Sequence, residues 1–202
     1  MSKKESTFFN MIIALFVITI VAGASLGFIN DITKGPKAKA RLERKVNAIK
    51  QVLPEFNNNP VENVLMLKSD KVKDSIEVYT GTFNDQHIGT AIIGSSEKGY
   101  SGLVKIMVGF NPDESIKNIV VLEQKETPGL GTKMKGDKFL RQFRGKKPSE
   151  YNVMPTKDGG DVDALTGATI TTRAFGEATQ MAYDIFVETN KSKNKHHGRN
   201  SN

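Results

Sequence analysis

Near its N-terminus the chain carries 25 consecutive residues without a charged side chain, Ser6–Asn30. As an α-helix such a segment is about 37 Å long, and the hydrocarbon core of a bilayer is about 30 Å thick. The segment therefore predicts a transmembrane anchor over residues 7–29, after a cytoplasmic N-terminus of residues 1–6. The alternative is a cleaved signal peptide whose cleavage site would be Ala22-Gly-Ala24. Apolar residues continue beyond that site, which favours a retained anchor.

Basic residues are unevenly distributed around this anchor. Two lysines precede it, and six Lys or Arg residues follow between positions 34 and 45. Positive charge close to a membrane span favours the cytoplasmic side, so this count alone would leave the following domain in the cytoplasm. Long domains cross membranes largely regardless of such charges, so the count does not decide the orientation.

The formal net charge of +7 comes from the two ends of the chain. Residues 1–50 carry 9 basic and 3 acidic side chains, and residues 190–202 carry 4 basic and no acidic ones. Residues 51–189 carry 16 basic and 19 acidic side chains. A nucleic-acid-binding domain concentrates positive charge on its folded surface, so we expect no nucleic acid partner. The chain has no Cys, which excludes thiol catalysis and Cys-ligated metals, and we expect no metal site.

The rest of the chain has the pattern of an α+β domain, with antiparallel or mixed strands and flanking helices. From Pro36 to Pro54 apolar residues recur every three or four positions, which predicts a linker or stalk helix within residues 30–54. The main domain is expected over residues 55–189, with a closing helix from Ile170. A polar, basic tail at residues 190–202 is expected to be disordered. Five segments have strand character: Val61–Leu67, Ser75–Phe83, His87–Gly94, Leu103–Phe110 and Ile116–Gln124. The second and third are expected to form a hairpin around Asn84-Asp-Gln86, and the last two a second hairpin.

Two segments are not explained by core packing, and the first is Glu126-Thr-Pro-Gly-Leu-Gly131. Pro128 fixes its own φ, while Gly129 and Gly131 permit backbone angles and close approaches that a side chain would block. An ordinary tight turn after a strand would account for much of this pattern. Two glycines on either side of Leu130, however, suit a loop that lies flat against another group.

The second segment is Asp163-Ala-Leu-Thr-Gly-Ala-Thr169, directly before the closing helix. Thr169 could be the N-cap of that helix. Alternatively the segment could bind phosphate, because the first N–H groups of a helix are unpaired and its dipole favours an anion. The chain lacks a Walker lysine at the expected position and a G-x-G-x-x-G after a strand, so neither standard nucleotide site is supported.

Asp163-x-x-Thr166-Gly-Ala-Thr169 resembles the flavinylation motif, Asp-x-x-(Ser/Thr)-Gly-Ala-Thr, of bacterial FMN-binding domains. The segments Glu126–Gly131 and Gly99-Tyr-Ser-Gly102 also look like that family. With the single N-terminal span, the chain up to about Val187 resembles the G subunits of the Rnf ion-translocating electron-transport complexes. The sister family is formed by the C subunits of the sodium-translocating NADH:quinone reductases, which are usually longer.

The resemblance implies that a flavin transferase joins FMN to Thr169 through a phosphoester and recognises Asp163 in doing so. It implies that the flavin lies outside the cytoplasmic membrane. Its implied partners are the other Rnf membrane subunits, especially an integral membrane subunit that also carries FMN. The complex would couple electron transfer between ferredoxin and NAD to ion translocation, with no catalytic residue on this chain. The implied FMN contacts besides Thr169 are Thr166, Gly167, Ala168, Thr172, Glu126, Thr127, Leu130 and Gly131.

Three alternatives remain at this point. The first is a component like the C subunit of the sodium-translocating reductase. The second is a stand-alone membrane-anchored flavin reductase, which would need an acid or base beside the flavin. His87 is the only His before the tail, and it reads more easily as a hairpin residue. The third is a membrane-anchored binding module without redox function, in which Thr169 only caps a helix.

Overall fold

The structure is a computed structural model that describes residues 8–67 and 76–197, with the backbone alone for residues 192–197. The chain forms two compact units, Met1–Arg44 and Lys45–Asn202. All described residues of the first unit belong to helix α1, Phe8–Val52, whose last residues are part of the second unit. Its apolar stretch is long enough to cross a membrane, and none of that stretch is buried.

The expected stalk helix is not a separate element. Pro36 lies inside α1, whereas the sequence suggested that it begins a new helix. Proline removes one backbone hydrogen bond and crowds the preceding turn. Here it is followed by Ala, Lys, Leu, Arg and Glu residues, which favour the helical state and continue it beyond the proline. The helix ends at Val52, close to the predicted stop at Pro54.

The second unit is built on a five-stranded antiparallel sheet in which neighbouring strands follow one another in the sequence. This arrangement confirms the α+β expectation with a purely antiparallel sheet. The strands are β1 Leu65–Leu67, β2 Ile76–Phe83, β3 Gln86–Gly99, β4 Gly102–Phe110 and β5 Ile116–Gln124.

Both predicted hairpins are present. The first turns at Asn84 and Asp85, whose φ angles are 49° and 63°. Asn and Asp tolerate positive φ, and a two-residue turn of this kind matches the twist of the strands that it joins. The second joins β4 and β5 through residues 111–115, where the amide N–H of Asn111 donates to the Ser115 carbonyl at 2.9 Å.

The first predicted strand, Val61–Leu67, is largely wrong, since only Leu65–Leu67 pairs with the sheet. The residues before it form a turn in which the amide N–H of Glu62 donates to the Asn59 carbonyl at 3.2 Å. The Asn58 side chain holds this turn to β2, because it donates to the Thr80 carbonyl at 2.9 Å. Ser75, expected at the start of β2, lies outside the described residues.

A helical layer covers each face of the sheet. Helix α3, Thr169–His197, packs on the face that carries Val78, Ile92 and Ile106. The last turns of α1 pack on the opposite face, against Tyr79, Ile93 and Met107. Successive residues of a strand point to opposite faces, so the alternating pattern of the sequence builds both cores.

The remaining elements are short. The segment after β5 contains a 3₁₀ helix, Gly131–Lys135, and helix α2, Asp137–Leu140. A 3₁₀ turn, Thr156–Asp158, lies in the long loop before α3. Helix α3 continues to His197, so the expected disorder is wrong for residues 190–197. Residues 198–202 lie outside the described part of the chain.

Candidate functional site

Three separate segments of the second unit meet around a cleft of about 410 Å³. They are the turn between β3 and β4, the loop after β5 and the beginning of α3. The structure therefore brings together the two segments that the sequence analysis singled out. The lining residues are Tyr100, Glu126, Thr127, Leu130, Gly131, Gly167, Ala168, Thr169, Ile170 and Thr171.

Thr169 is the first residue of α3, one position later than the N-cap expected from the sequence. Ala168 precedes it, and the Ala168 carbonyl accepts the amide N–H of Thr172 at 3.0 Å, which is the first bond of the helix. The Thr169 side chain is half-buried and lines the cleft. Within the described part of the chain its hydroxyl makes no hydrogen bond, so the hydroxyl is available to a ligand.

The turn before α3 requires a glycine. The amide N–H of Ala168 donates to the Leu165 carbonyl at 2.9 Å, and Gly167 adopts a φ of +75° inside this turn. Residues with a Cβ adopt such angles only with strain. A Cβ at Gly167 would also lie 3.3 Å from Cδ2 of Leu130. The glycine thus lets the turn approach the loop that follows β5.

Glu126 is a buried carboxylate at the wall of the cleft, and the residue is only 4% exposed. One oxygen, Oε2, accepts the hydroxyl of Thr171 at 2.6 Å, and the other, Oε1, accepts the amide N–H of Ser101 at 3.0 Å. Its own amide N–H donates to the Gln124 side chain at 2.6 Å. Glu126 therefore joins the β3–β4 turn, the loop after β5 and the first turn of α3.

Gly131 is needed for close packing. A Cβ there would lie 2.6 Å from Cβ of Glu126 and 2.9 Å from Oγ1 of Thr171. Gly129, in contrast, has open space around it and a φ of +77°, so the glycine is needed for the backbone angle of the turn and not for close packing. The loop thus packs against α3 through Gly131, and it presents Leu130, 42% exposed, beside the cleft.

Two predicted contacts, Thr166 and Thr172, do not line the cleft. The Thr172 side chain is fully buried, and its hydroxyl accepts the amide N–H of Leu165 at 3.1 Å and donates to the Ala168 carbonyl at 3.0 Å. That residue fixes the turn before α3. Thr166 is exposed at the tip of the same turn.

Asp163 also lies outside the cleft, and its side chain is exposed. Its backbone is held by the Gln142 side chain, which accepts the amide N–H of Asp163 at 2.7 Å and donates to its carbonyl at 3.3 Å. This arrangement gives the motif a fixed backbone and an accessible carboxylate.

Three lining residues were missed as site residues by sequence reasoning: Tyr100, Ile170 and Thr171. Tyr100 lies in the Gly99–Gly102 segment, and the two glycines around it were a usable signal for an exposed turn. Thr171 was harder to find, because its partner Glu126 is 45 residues away in the sequence. Ile170 is 45% exposed at the helix start.

The cleft carries few groups for acid–base chemistry. Glu126 and Tyr100 are its titratable side chains. His87 lies in the β2–β3 hairpin, where Nε2 is 2.9 Å from the Thr90 hydroxyl. Among the described residues no group of His, Cys, Asp or Glu could hold a metal ion.

These features fit a flavin mononucleotide. The cleft volume falls in the usual range for small-molecule sites, about 300–1,000 Å³. Leu130, Ile170 and Tyr100 offer apolar surface to a flat ring system. The unpaired N–H groups at the start of α3 suit a phosphate group next to the Thr169 hydroxyl.

Comparison with known proteins gives the class of this domain, since residues 99–184 match the FMN-binding domain family. The chain is 31% identical to the G subunit of the Na(+)-translocating ferredoxin:NAD(+) oxidoreductase complex of Acetobacterium woodii, over 91% of this chain and 93% of that protein. It is 33% identical to the G subunit of the ion-translocating oxidoreductase complex of Aliivibrio fischeri, over 89% of this chain and 88% of that one. The chain belongs to the family formed by the G subunits of these complexes.

A solved structure is also similar, the crystal structure of Shewanella oneidensis NqrC. It shares 25% sequence identity over 62% of this chain and 64% of that chain, with a TM-score of 0.46. Family membership and the unburied apolar stretch of α1 together indicate a membrane-anchored protein with an FMN-binding domain. The resemblance to the Rnf G subunits inferred from the sequence is confirmed.

Proposed function

We propose that this chain is an electron-carrying subunit whose FMN is joined to Thr169 by a phosphoester. The observation that carries the proposal is the Thr169 hydroxyl, which lies in the cleft at the start of α3 without a hydrogen bond among the described residues. The relatives named above support a complex that couples electron transfer between ferredoxin and NAD to ion translocation.

The chain's own groups suit this attachment. A threonine esterified to FMN leaves a phosphodiester anion, and the positive end of the α3 dipole favours that charge. Leu130 and Ile170 would cover the ring system. Gly131 and Gly167 let the loop after β5 and the turn before α3 pack closely around the cleft. When bound, FMN supplies reversible electron transfer, and the covalent link keeps it from being lost to the surroundings.

Loading requires a second protein, a flavin transferase, and Asp163 is the residue proposed for its recognition. The exposed carboxylate and the backbone fixed by Gln142 support this role. Asp163→Ala should block loading when the chain and the transferase are produced together, and the fold should remain intact because the exposed side chain makes no described contact. Glu150→Ala, which removes another exposed carboxylate without a described contact, is the control. Normal loading of Asp163→Ala would contradict the assignment.

We place residues 55–189 on the outer side of the cytoplasmic membrane, anchored by residues 7–29. The resemblance to relatives that carry their flavin outside supports this side, while the basic residues after the anchor oppose it. Electrons would pass to or from the other subunits of the complex, especially an integral membrane subunit that also carries FMN.

The experiment that tests the attachment needs the full chain produced with a flavin transferase. The protein is precipitated with acid and washed, and its intact mass is then measured by mass spectrometry. A yellow pellet and a mass increase of one phosphoester-linked FMN are expected. A covalently attached flavin stays on the denatured protein, whereas a non-covalently bound flavin is released and washed away. A colourless pellet with the unmodified mass would refute the covalent link.

A further inference from the structure

The positive charge of the main domain is concentrated directly after the loop that follows β5 and lines the cleft. The stretch Lys133–Lys147 carries seven basic residues and one acidic residue. The rest of residues 51–189 carries nine basic and 18 acidic side chains. A domain that is otherwise acidic therefore has one strongly basic stretch. Its basic members are Lys133, Lys135, Lys138, Arg141, Arg144, Lys146 and Lys147.

Most of these charges are not neutralised within the domain. Arg144 pairs with Asp137, with 2.5 Å between Nη1 and Oδ1. Lys133, Lys135 and Lys138 are exposed, as is Arg141, and none of the four belongs to an ion pair among the described residues. Their charge is available to a partner.

The stretch is firmly attached to the domain. The 3₁₀ helix begins at Gly131, which lines the cleft, and the amide N–H of Gly136 closes it by donating to the Lys133 carbonyl at 2.9 Å. Met134 and Phe143 are fully buried in the core beneath it. The positive charges consequently start at Lys133, two residues from Gly131 at the cleft, whereas the end of the stretch lies at the other end of β5, where the Lys146 carbonyl accepts the amide N–H of Ile116 at 2.8 Å.

The rim of the cleft has exposed apolar side chains as well. Tyr100 is 70% exposed, Ile170 45% and Leu130 42%. Large apolar side chains on a surface are informative when they occur together, and these three lie around one opening. They account for half of the described exposed large apolar residues in the second unit; the others are Leu65, Met66 and Phe83.

We propose that the cleft rim and the exposed Lys133 and Lys135, in the 3₁₀ helix that begins at the cleft, form one docking surface for an acidic face of an electron-transfer partner protein. The inference rests on the proposed electron-carrying function, since such a partner must approach the cleft. Complementary charge steers two proteins together and sets their orientation, and a small apolar centre gives a short-lived contact. Charge alone would also fit an anionic membrane, but an apolar rim around the cofactor cleft favours a protein.

The test measures the association of the full-length chain in detergent with the remaining subunits of the complex, purified from cells that lack this chain and immobilised. The association rate of the wild type should fall about tenfold between low and high salt, because screening weakens steering. Lys133→Glu/Lys135→Glu should associate about tenfold more slowly at low salt. The control, Lys117→Glu/Lys157→Glu, makes the same change in charge at exposed lysines away from the cleft and should stay within about twofold of the wild type.

If the association rate fell equally in both double variants, or in neither, the proposal would be overturned. Each variant is also tested on protein-free vesicles of anionic lipid. A loss of vesicle binding without slower association to the complex would identify a membrane-binding surface and overturn it too. For the apolar rim, the Tyr100→Ser variant should dissociate from the remaining subunits about fivefold faster than the wild type. An unchanged dissociation rate would show that the rim is not part of the docking surface.

The outcome is separable from that of the proposed function. Intact mass is recorded for every preparation, and association is measured with flavin-loaded and flavin-free chains. A missing FMN mass would refute the covalent attachment, whereas the association rates report the docking surface.

Discussion

At the scale of single residues, the hydroxyl groups near the start of α3 have distinct environments. Thr171 donates to Glu126, and Thr172 is fully buried in the turn that precedes the helix. Thr166 is exposed and lies outside the cleft lining. Thr169 alone among them lines the cleft with a hydroxyl that makes no described hydrogen bond. The geometry thus separates four similar residues that sequence spacing leaves equivalent.

Thr169→Ala should abolish covalent flavin while changing stability little. The side chain is half-buried and is not the N-cap, so its loss should cost about 0.5 kcal/mol. Thr156→Ala, at an exposed threonine outside the motif, is the matched control and should be loaded like the wild type. In-gel flavin fluorescence and peptide mass mapping measure the attachment, and denaturant unfolding in detergent measures the stability. A flavin-modified peptide that carries the group on Thr166 or Thr172 would contradict this assignment.

Glu126 is expected to matter for stability, because its carboxylate accepts hydrogen bonds from two other segments. Glu126→Ala would leave the Thr171 hydroxyl and the Ser101 amide without their acceptor and should cost about 2–3 kcal/mol. Glu126→Gln keeps the shape and one acceptor oxygen, and should lose about half as much. Urea unfolding of the full chain gives both free energies. If Glu126→Ala and Glu126→Gln both lowered the free energy of unfolding only slightly and by the same amount, the carboxylate would not hold the three segments together.

At the scale of the elements, the hairpins could be predicted and the connections between elements could not. Alternating apolar residues and the Asn84-Asp85 turn are local signals, so β2 to β5 were found within a few residues. Pro36 was misread because a proline marks a helix start only when the preceding turn is broken. The contact between Glu126 and Thr171 spans 45 residues and follows from the fold alone.

The last turns of α1 are tied to the sheet by a charged cluster. Lys45 Nζ donates to both carboxylate oxygens of Glu77, at 2.7 and 2.6 Å, and the Tyr79 hydroxyl donates to Oε2 of the same carboxylate. Burial raises the pKa of Glu77, but the hydrogen bonds from Lys45 and Tyr79 outweigh it, so the pKa lies below its usual 4.5. Burial and the Glu77 charge raise the pKa of Tyr79.

The pH dependence of stability follows from the lowered pKa of Glu77. A carboxyl group whose pKa is lower in the folded state contributes stability above its unfolded pKa, here about 4.5, and loses it as the pH falls through the folded value. The free energy of unfolding should therefore decline more steeply below about pH 4.5 in the wild type than in Glu77→Gln. Glu150→Gln, at an exposed carboxyl, is the control. Parallel acid curves for the wild type and Glu77→Gln would contradict the expectation.

At the scale of the whole molecule, the anchor itself offers no path for ions. Residues 7–29 contain no charged side chain. The hydroxyl of Thr19 donates to the Leu15 carbonyl of its own helix at 2.8 Å. Ionisable residues within membrane spans mark ion pathways, so an ion-translocating complex that contains this chain must hold its pathway in other subunits. Family membership indicates that the part of this chain in such a complex is to carry electrons.

That role makes the side of the membrane decisive, and we expect the FMN domain on the outer side. Two lysines before the anchor and six basic residues soon after it oppose this orientation, but a domain of about 150 residues can be exported despite them. Trypsin added to intact spheroplasts should then remove the domain while a cytoplasmic marker stays whole, because the exposed lysines beside the cleft are accessible from outside. Lysed spheroplasts provide the control for cleavage. If the domain were protected until lysis, the FMN would lie on the cytoplasmic side, and electrons would have to reach it without crossing the membrane.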